Sequence, residues 1–378
     1  MSTASPPRLA ALDLLRGFTV AAMIVVNNPG NWNSVYAPLN HSHWNGVTFA
    51  DLIFPAFIFI MGVSLALAQP RAATASGWPR YQRIVTRAVT LIAMGLALNA
   101  ALAWPDLSAI RLPGVLQRIG ITYLVTAIVV ARTSAGQRWS IAGGLLLVHW
   151  ALLVWPAHAF GVAPLAPDAN TAFWIDRAVF GTHLLTPSGD PEGLLGVLTS
   201  VSTALFGAAA GRWLAGSAQL PARSTNHGRH VLGTLAIAGL VGVAVGYAWS
   251  FALPLNKPLW TASFAVFTSG AATLALAALA ALDVPALAIL LAPFDWLGTN
   301  PLAIYALSEF ASNLMQRAWL VQSGHVVALK DLIYWNGLVP LFGDFGGPRS
   351  SLAYAAGYVA VWIAVAGVMR WRGVRIRA

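Results

Sequence analysis

Apolar runs of membrane-spanning length recur along this chain with little hydrophilic sequence between them, and a bilayer is the solvent that tolerates them. Ten such runs fall at about 11–29, 49–69, 84–103, 114–131, 139–156, 193–215, 230–252, 259–281, 286–311 and 351–371. A helix needs about 20 apolar residues to cross the hydrocarbon core, so the pattern predicts an all-α, polytopic bundle of about ten transmembrane helices. Charge agrees: 9% of the residues are Asp, Glu, Lys or Arg, where a soluble domain carries roughly 25%. With 58% hydrophobic residues, the chain lacks the polar surface to cover itself in water, and lipid removes that requirement. A soluble globular enzyme is excluded. The run near Tyr334 to Phe342 is too short to span and contains Asn336, Gly337 and Pro340, so it reads as interfacial or re-entrant. The longest hydrophilic stretch is about Pro156 to Glu192, and residues 1–378 are expected to form one transmembrane domain.

A net charge of +10 would suggest nucleic acid in a soluble protein. Here nucleic acid is not an expected partner, because basic residues mark the cytoplasmic ends of membrane helices and the lipid bilayer is the surrounding phase. With a cytoplasmic N-terminus, the inner segments hold fourteen cations: Arg8, Arg71, Arg80, Arg83, Arg87, Arg132, Arg138, Arg212, Arg223, Arg229, Arg370, Arg372, Arg375 and Arg377. The outer segments hold six, namely Arg111, Arg177, Lys257, Arg317, Lys330 and Arg349. This excess places both termini in the cytoplasm, and an odd number of helices would strand the Arg-rich tail outside. The segments 28–48 and 158–192 then face outward, and the turn 282–285 inward. The chain has no cysteine, which excludes disulfides and thiolate chemistry. Asp13 and Arg16 interrupt the first run and no small-residue cleavage site follows, so no cleaved signal peptide is expected. No internal repeat is visible, which disfavours inverted-repeat transporter folds.

Ionisable residues within spans are costly and default to functional hypotheses. Asp13 and Arg16, spaced i, i+3, share a helix face and can pair. The most informative stretch runs from His41 to Pro55: His41, His43 and Trp44 stand just before a helix whose first turn holds Asp51. A neutral imidazole there can serve as nucleophile or general base, with a carboxylate fixing its tautomer. Thr48 and Asp51 also form a capping-box pair, so Asp51 either caps the helix or orients a histidine. Two histidines two positions apart, without a third ligand, do not make a metal site, and no metal is expected. Arg118, early in the fourth span, needs an anionic partner such as a carboxylate or a substrate phosphate. Asp190 and Glu192 open the sixth span as N-cap and dipole-complementing acid. Pro301 breaks the ninth span after Asn300, and the second half-helix offers free N–H groups to an oxygen anion.

Leu12-Asp13-Leu14-Leu15-Arg16-Gly17, Val26-Asn27, His41-Ser42-His43-Trp44-Asn45-Gly46 and Asp51-Leu52-Ile53-Phe54-Pro55 resemble the transmembrane heparan-α-glucosaminide N-acetyltransferase family. So do Gly114-Val115-Leu116-Gln117-Arg118, Asp190-Pro191-Glu192-Gly193, Asn256-Lys257-Pro258-Leu259-Trp260 and Asn300-Pro301-Leu302. The match runs in order through nearly the whole chain and is loosest after about Ser308, where the family pattern has histidine before Glu309.

The resemblance implies an acetyltransferase of the bacterial inner membrane, moving an acetyl group from cytoplasmic acetyl-CoA to the amine of a glucosamine-type sugar near the periplasmic face. In the family the catalytic histidine stands three positions before the tryptophan of Trp-x-Gly, which selects His41 over His43. A helix-one asparagine lining the acetyl-CoA site corresponds to Asn27. Asp51 then orients an imidazole. Arg118 and Asn300 join Asn27 as candidates for holding acetyl-CoA, and Asp13, Arg16, Asp190, Glu192, Asn256 and Lys257 are candidates for the amino-sugar acceptor. A second copy of the chain is a candidate partner. Lysosomal members carry a luminal domain without counterpart in these residues, so a polymeric heparan acceptor is not expected. Transfer through acetyl-histidine and direct transfer in a ternary complex both fit. The competing classes are a sugar or organic-acid transporter, and an O-acetyltransferase of the acyltransferase-3 type, whose first helix shares the Asp-x-x-Arg-Gly pattern.

Overall fold

The computed structural model describes residues 10–72, 78–160, 163–218, 225–282, 287–322 and 325–376. In chain order the helices are α1 (Ala10–Asn27), α2 (Phe49–Ala72), α3 (Trp78–Ala103), α4 (Val115–Arg132), α5 (Ala135–Phe160) and α6 (Thr171–Phe180). There follow α7 (Leu195–Ala218), α8 (Thr225–Trp249), α9 (Ala262–Ala281), α10 (Ala288–Thr299) and α11 (Pro301–Gln316), and a C-terminal helix, Pro348–Trp371. A two-stranded antiparallel hairpin, β1 (Ala318–Gln322) with β2 (His325–Ala328), and a short helical stretch over 329–342 lie between α11 and the C-terminal helix. The hairpin is the one departure from an all-α chain among the described residues.

Seven of these helices are long and apolar enough to cross a membrane: α2, α3, α4, α5, α8, α9 and the C-terminal helix. The expected first, sixth and ninth spans are not among these seven. α1 is 18 residues long, with Asp13 and Arg16 in its first two turns. The ninth is divided at Asn300 into α10 and α11, because Pro301 starts a new helix and cannot continue the old one. α7 is diluted with small and hydroxylated residues. Arg8, Arg223 and Arg377, which enter the charge asymmetry, and the turn at 283–285, expected to face inward, lie outside the described residues.

The chain divides into two compact units, Met1–Asn40 with Ala275–Arg377, and His41–Leu274. In the second unit α7 packs against α2, α4 and α5. A Cβ added at Gly62 would overlap the Ala204 carbonyl, and one at Gly207 would overlap that of Phe59, so α2 and α7 meet backbone to backbone. Small residues permit such close approach where no hydrophobic force acts between helices. Enclosed by protein, α7 needs no apolar exterior. Its Thr199, Ser200, Ser202 and Thr203 are all fully buried, and their hydroxyls donate to the carbonyls of Trp260 at 2.6 Å, Gly196 at 2.8 Å, Ala142 at 3.0 Å and Thr199 at 3.1 Å.

The first unit repeats the device with α1 and α10. A Cβ at Gly17 would overlap the Phe294 carbonyl, and one at Gly298 would overlap that of Asp13. Gly17, the last residue of the first motif, is therefore a packing residue.

Candidate functional site

α2 begins one residue after Thr48, and the Asp51 half of the capping box forms: the Thr48 backbone N–H and its hydroxyl both donate to Asp51 Oδ2 at 3.1 Å. The Ser42 backbone N–H donates to the same oxygen at 3.0 Å. The other oxygen, Oδ1, lies 2.8 Å from His41 Nδ1. Both roles open to Asp51 on sequence are thus filled at once, with one oxygen each. Asp51 is 1% exposed, whereas the His41 side chain is 41% exposed. A carboxylate accepts, so in its neutral form the His41 ring carries its proton on Nδ1 and its lone pair on Nε2. His43 is exposed and takes no part in this network.

The third member comes from the loop between α8 and α9. Lys257 Nζ stands 3.1 Å from His41 Nδ1, 3.3 Å from His41 Nε2 and 3.6 Å from Asp51 Oδ1. Nearly equidistant from both ring nitrogens, it lies along the lone pair of neither. Burial pushes the Lys257 ammonium below its ordinary range, with the Asp51 and Glu192 carboxylates pulling the other way.

Asn256 fixes this loop against the histidine segment. Its amide donates to the Trp44 carbonyl and to Asn45 Oδ1, both at 3.1 Å, and its own side-chain oxygen accepts from the Leu259 N–H at 2.8 Å. The two segments also form an antiparallel bridge at Asn45 and Asn256, with Gly46 N–H donating to the Leu255 carbonyl at 2.8 Å. Trp260 turns the chain at φ +48°, a left-handed conformation uncommon for a residue with a side chain. Packing holds it there: its ring lies 5.1 Å from that of Phe54 and 5.6 Å from that of Phe264, each edge to face, and the Arg118 guanidinium lies 4.9 Å over it.

Arg118 is 2% exposed. Its Nη2 donates to the Gly193 carbonyl at 3.0 Å, while Nε and Nη1 find no hydrogen-bond partner. Gly193 follows Glu192 directly, and there Arg111 forms a fork with Asp190, Nε to Oδ2 at 2.7 Å and Nη2 to Oδ1 at 2.6 Å, and also pairs with Glu192. Burial works against the Arg111 guanidinium, but the two acids outweigh it and hold it above its ordinary range. Asp190, equally penalised by burial, is held below the usual carboxylate range by Arg111. Asp176 of α6 completes the surroundings: Oδ1 accepts from the Leu194 N–H at 2.9 Å, and Oδ2 is buried without a partner.

In the first unit the predicted residues make three separate contacts. Arg16 Nη1 donates to Asp13 Oδ1 at 2.7 Å along one face of α1, as the i, i+3 spacing predicts. Asn27 Nδ2 donates to Glu309 Oε1 of α11 at 3.1 Å. Asn300 meets the C-terminal tail, donating to the Val374 carbonyl at 3.0 Å and accepting from the Ile376 N–H at 2.8 Å. Among the described residues no group of three or more His, Asp or Glu side chains is placed to hold a metal ion.

Residues 8–240 match the profile of the family described as "Heparan-alpha-glucosaminide N-acetyltransferase, catalytic". The chain belongs to this family. The protein named heparan-alpha-glucosaminide N-acetyltransferase in Homo sapiens is 30% identical over 373 residues, covering 84% of this chain and 55% of the human protein. That of Mus musculus is 30% identical over 370 residues, covering 83% of this chain and 55% of its own. The chain spans about half the length of the curated relatives it matches. Asp13, Arg16, Asn27, His41, Asp51, Arg118, Asp190 and Glu192 fall inside the heparan-alpha-glucosaminide N-acetyltransferase profile, and Asn256, Lys257 and Asn300 beyond its end.

Arg111, Asp176 and Trp260 are the residues of this site that sequence reasoning passed over as functional. Arg111 reaches acids 79 and 81 positions away, and no local pattern announces such a partner. Trp260 was visible only as the last letter of a motif.

Proposed function

We propose that this multi-pass membrane protein transfers the acetyl group of acetyl-CoA to the amine of a glucosamine-type sugar. The observation that carries the reading is the His41–Asp51 pair, 2.8 Å from Nδ1 to Oδ1, in which a buried, multiply anchored carboxylate sets the tautomer of a half-exposed imidazole. Such a pair does the work of a general base or of an activated nucleophile. The names of the human and mouse relatives, which specify an N-acetyltransferase and a glucosaminide, supply the acceptor class. His41 Nε2 either takes the proton of the attacking amine or takes the acetyl group itself. Asn27 uses one amide N–H on Glu309 within the first unit. Arg118, with two unsatisfied nitrogen groups, is the candidate to balance donor charge.

The excess of fourteen cations over six supports a donor side in the cytoplasm, with His41 at the outer face of a bacterial inner membrane. Acetyl-CoA is large and anionic, so only its acetyl arm has to reach deep.

The test is mass spectrometry of purified protein given acetyl-CoA and glucosamine. Acetylglucosamine and free CoA should form in equal amounts, and His41→Ala should abolish both. Near-normal turnover in folded His41→Ala would remove His41 from either mechanism, and uptake of the sugar without acetylation would favour a transporter.

A further inference from the structure

We propose that Lys257 is the acid that protonates the departing thiolate of the acyl donor, acting with His41 as one proton-handling pair. This rests on the acetyltransferase reading and extends it to a residue first considered only for binding the acceptor.

Transfer from a thioester to a neutral amine must take a proton from nitrogen and deliver one to sulfur. A single histidine cannot hold a lone pair for the first task and a proton for the second at the same moment. The cluster holds both: a lone pair on His41 Nε2, and protons on Lys257 Nζ 3.3 Å away. Any group reacting at Nε2 is therefore within reach of Nζ.

The choice of lysine is itself informative. The chain has 22 Lys and Arg residues together, and Lys257 and Lys330 are its only lysines. Where a fixed positive charge suffices, as at Arg111 and Arg118, the chain uses arginine, which does not release its proton. Lysine can, and burial of Lys257 makes release easier. Asp51, 3.6 Å from Nζ, keeps the cation in place between turnovers.

The protons balance along both routes. In direct transfer, the amine proton passes to Nε2, the new C–N bond forms, the C–S bond breaks, and Nζ gives a proton to sulfur. Neutral Lys257 then takes the proton from the imidazolium beside it, and the pair is restored. In the acetyl-histidine route, Nε2 attacks the thioester while Nζ protonates sulfur. The amine then attacks the acetyl-imidazole with Nε2 returning as the leaving atom, and the amine proton goes to the neutral lysine left by the first step. Acylated His41 cannot be the base in that second step, so Lys257 fills that place.

The experiment follows thiol release by wild type, Lys257→Arg and Lys257→Met from two donors: acetyl-CoA, and an aryl acetyl thioester whose thiolate is stable without a proton. From acetyl-CoA both variants should be slowed by about 10²–10⁴-fold, the usual range for acid–base catalysis. In a single turnover from the aryl thioester, which reads thiol departure alone, the same preparations should approach wild-type rates, which also shows that they are folded. Wild-type rates for Lys257→Arg with acetyl-CoA would mean that charge alone matters and would overturn the proposal, as would equal losses on both donors. Wild type itself should show little dependence on thiol basicity across a series of acetyl thioesters; a steep dependence would overturn the proposal without any variant. Wild type that transfers acetyl from neither donor would overturn the acetyltransferase reading instead.

Discussion

His41 and Asp51 meet at 2.8 Å, Nδ1 to Oδ1, through the carboxylate oxygen that the helix cap leaves over. The cap and the imidazole therefore share one side chain but not one atom, and the two functions can be separated by mutation. Asp51→Asn keeps a side-chain oxygen for the cap but turns an amide donor toward the ring, which then carries its proton on Nε2. Activity should fall by about 10²–10⁴-fold with little change in thermal stability. Thr48→Ala should do the reverse, costing about 1 kcal/mol of stability and sparing most of the turnover. Equal effects of the two variants on both measurements would show that the division between the oxygens has no consequence.

Much of this was legible in the sequence because it is local or periodic. The capping box, the Asp13–Arg16 pair and the break at Pro301 each depend on neighbours within four positions. The bilayer fixes helix length closely enough that seven of the apolar runs fall on helices long and apolar enough to cross it. What escaped is what depends on distant partners. On sequence Asn300 stands at the open start of a half-helix, yet its amide holds the backbone at 374 and 376. The apolar run at 193–215 resembles an ordinary span, although the hydroxyls of Thr199, Ser200, Ser202 and Thr203 are tolerated there because protein surrounds them. The hairpin at 318–328 was missed, its short β-branched stretches being overshadowed by the apolar helices on both sides.

Asp176 predicts a pH effect on stability. Burial pushes its carboxyl up to about 6 from 3.8; the Leu194 N–H opposes the shift and Asp190 adds to it. A raised carboxyl binds its proton more tightly in the folded state, so its contribution is complete below pH 3.8 and lost as pH rises through about 6. Asp176→Asn keeps an acceptor for the Leu194 N–H and removes the charge. It should melt higher than wild type at pH 7.5, by roughly a few degrees, and show no advantage at pH 4. A lower melting temperature at pH 7.5, measured in the same detergent, would contradict this.

Topology is open to a clean test, because the chain contains no cysteine. Thr182 is exposed in the turn after α6, and Ser134 is exposed between α4 and α5. Thr182→Cys should react with an impermeant thiol reagent added outside intact inner membranes, and Ser134→Cys only after permeabilisation. The reverse pattern would invert the proposed orientation, and with it the side from which each substrate arrives.

Arg118 separates stability from activity most sharply. A buried ion satisfied through one hydrogen bond contributes little to folding, and an apolar side chain of similar volume is often neutral or stabilising by about 1–4 kcal/mol. Arg118→Met should therefore melt no lower than wild type. Its activity should nevertheless drop, because the guanidinium stacked 4.9 Å over Trp260 braces the turn that carries Lys257. Arg118→Lys keeps the charge but loses the planar stack and the fork, and should fall between the two. Steady-state acetylation and detergent-solubilised melting curves on the three proteins decide the matter. A large fall in melting temperature for Arg118→Met would make Arg118 a folding residue, whereas full activity in that variant would detach Trp260 from the chemistry altogether.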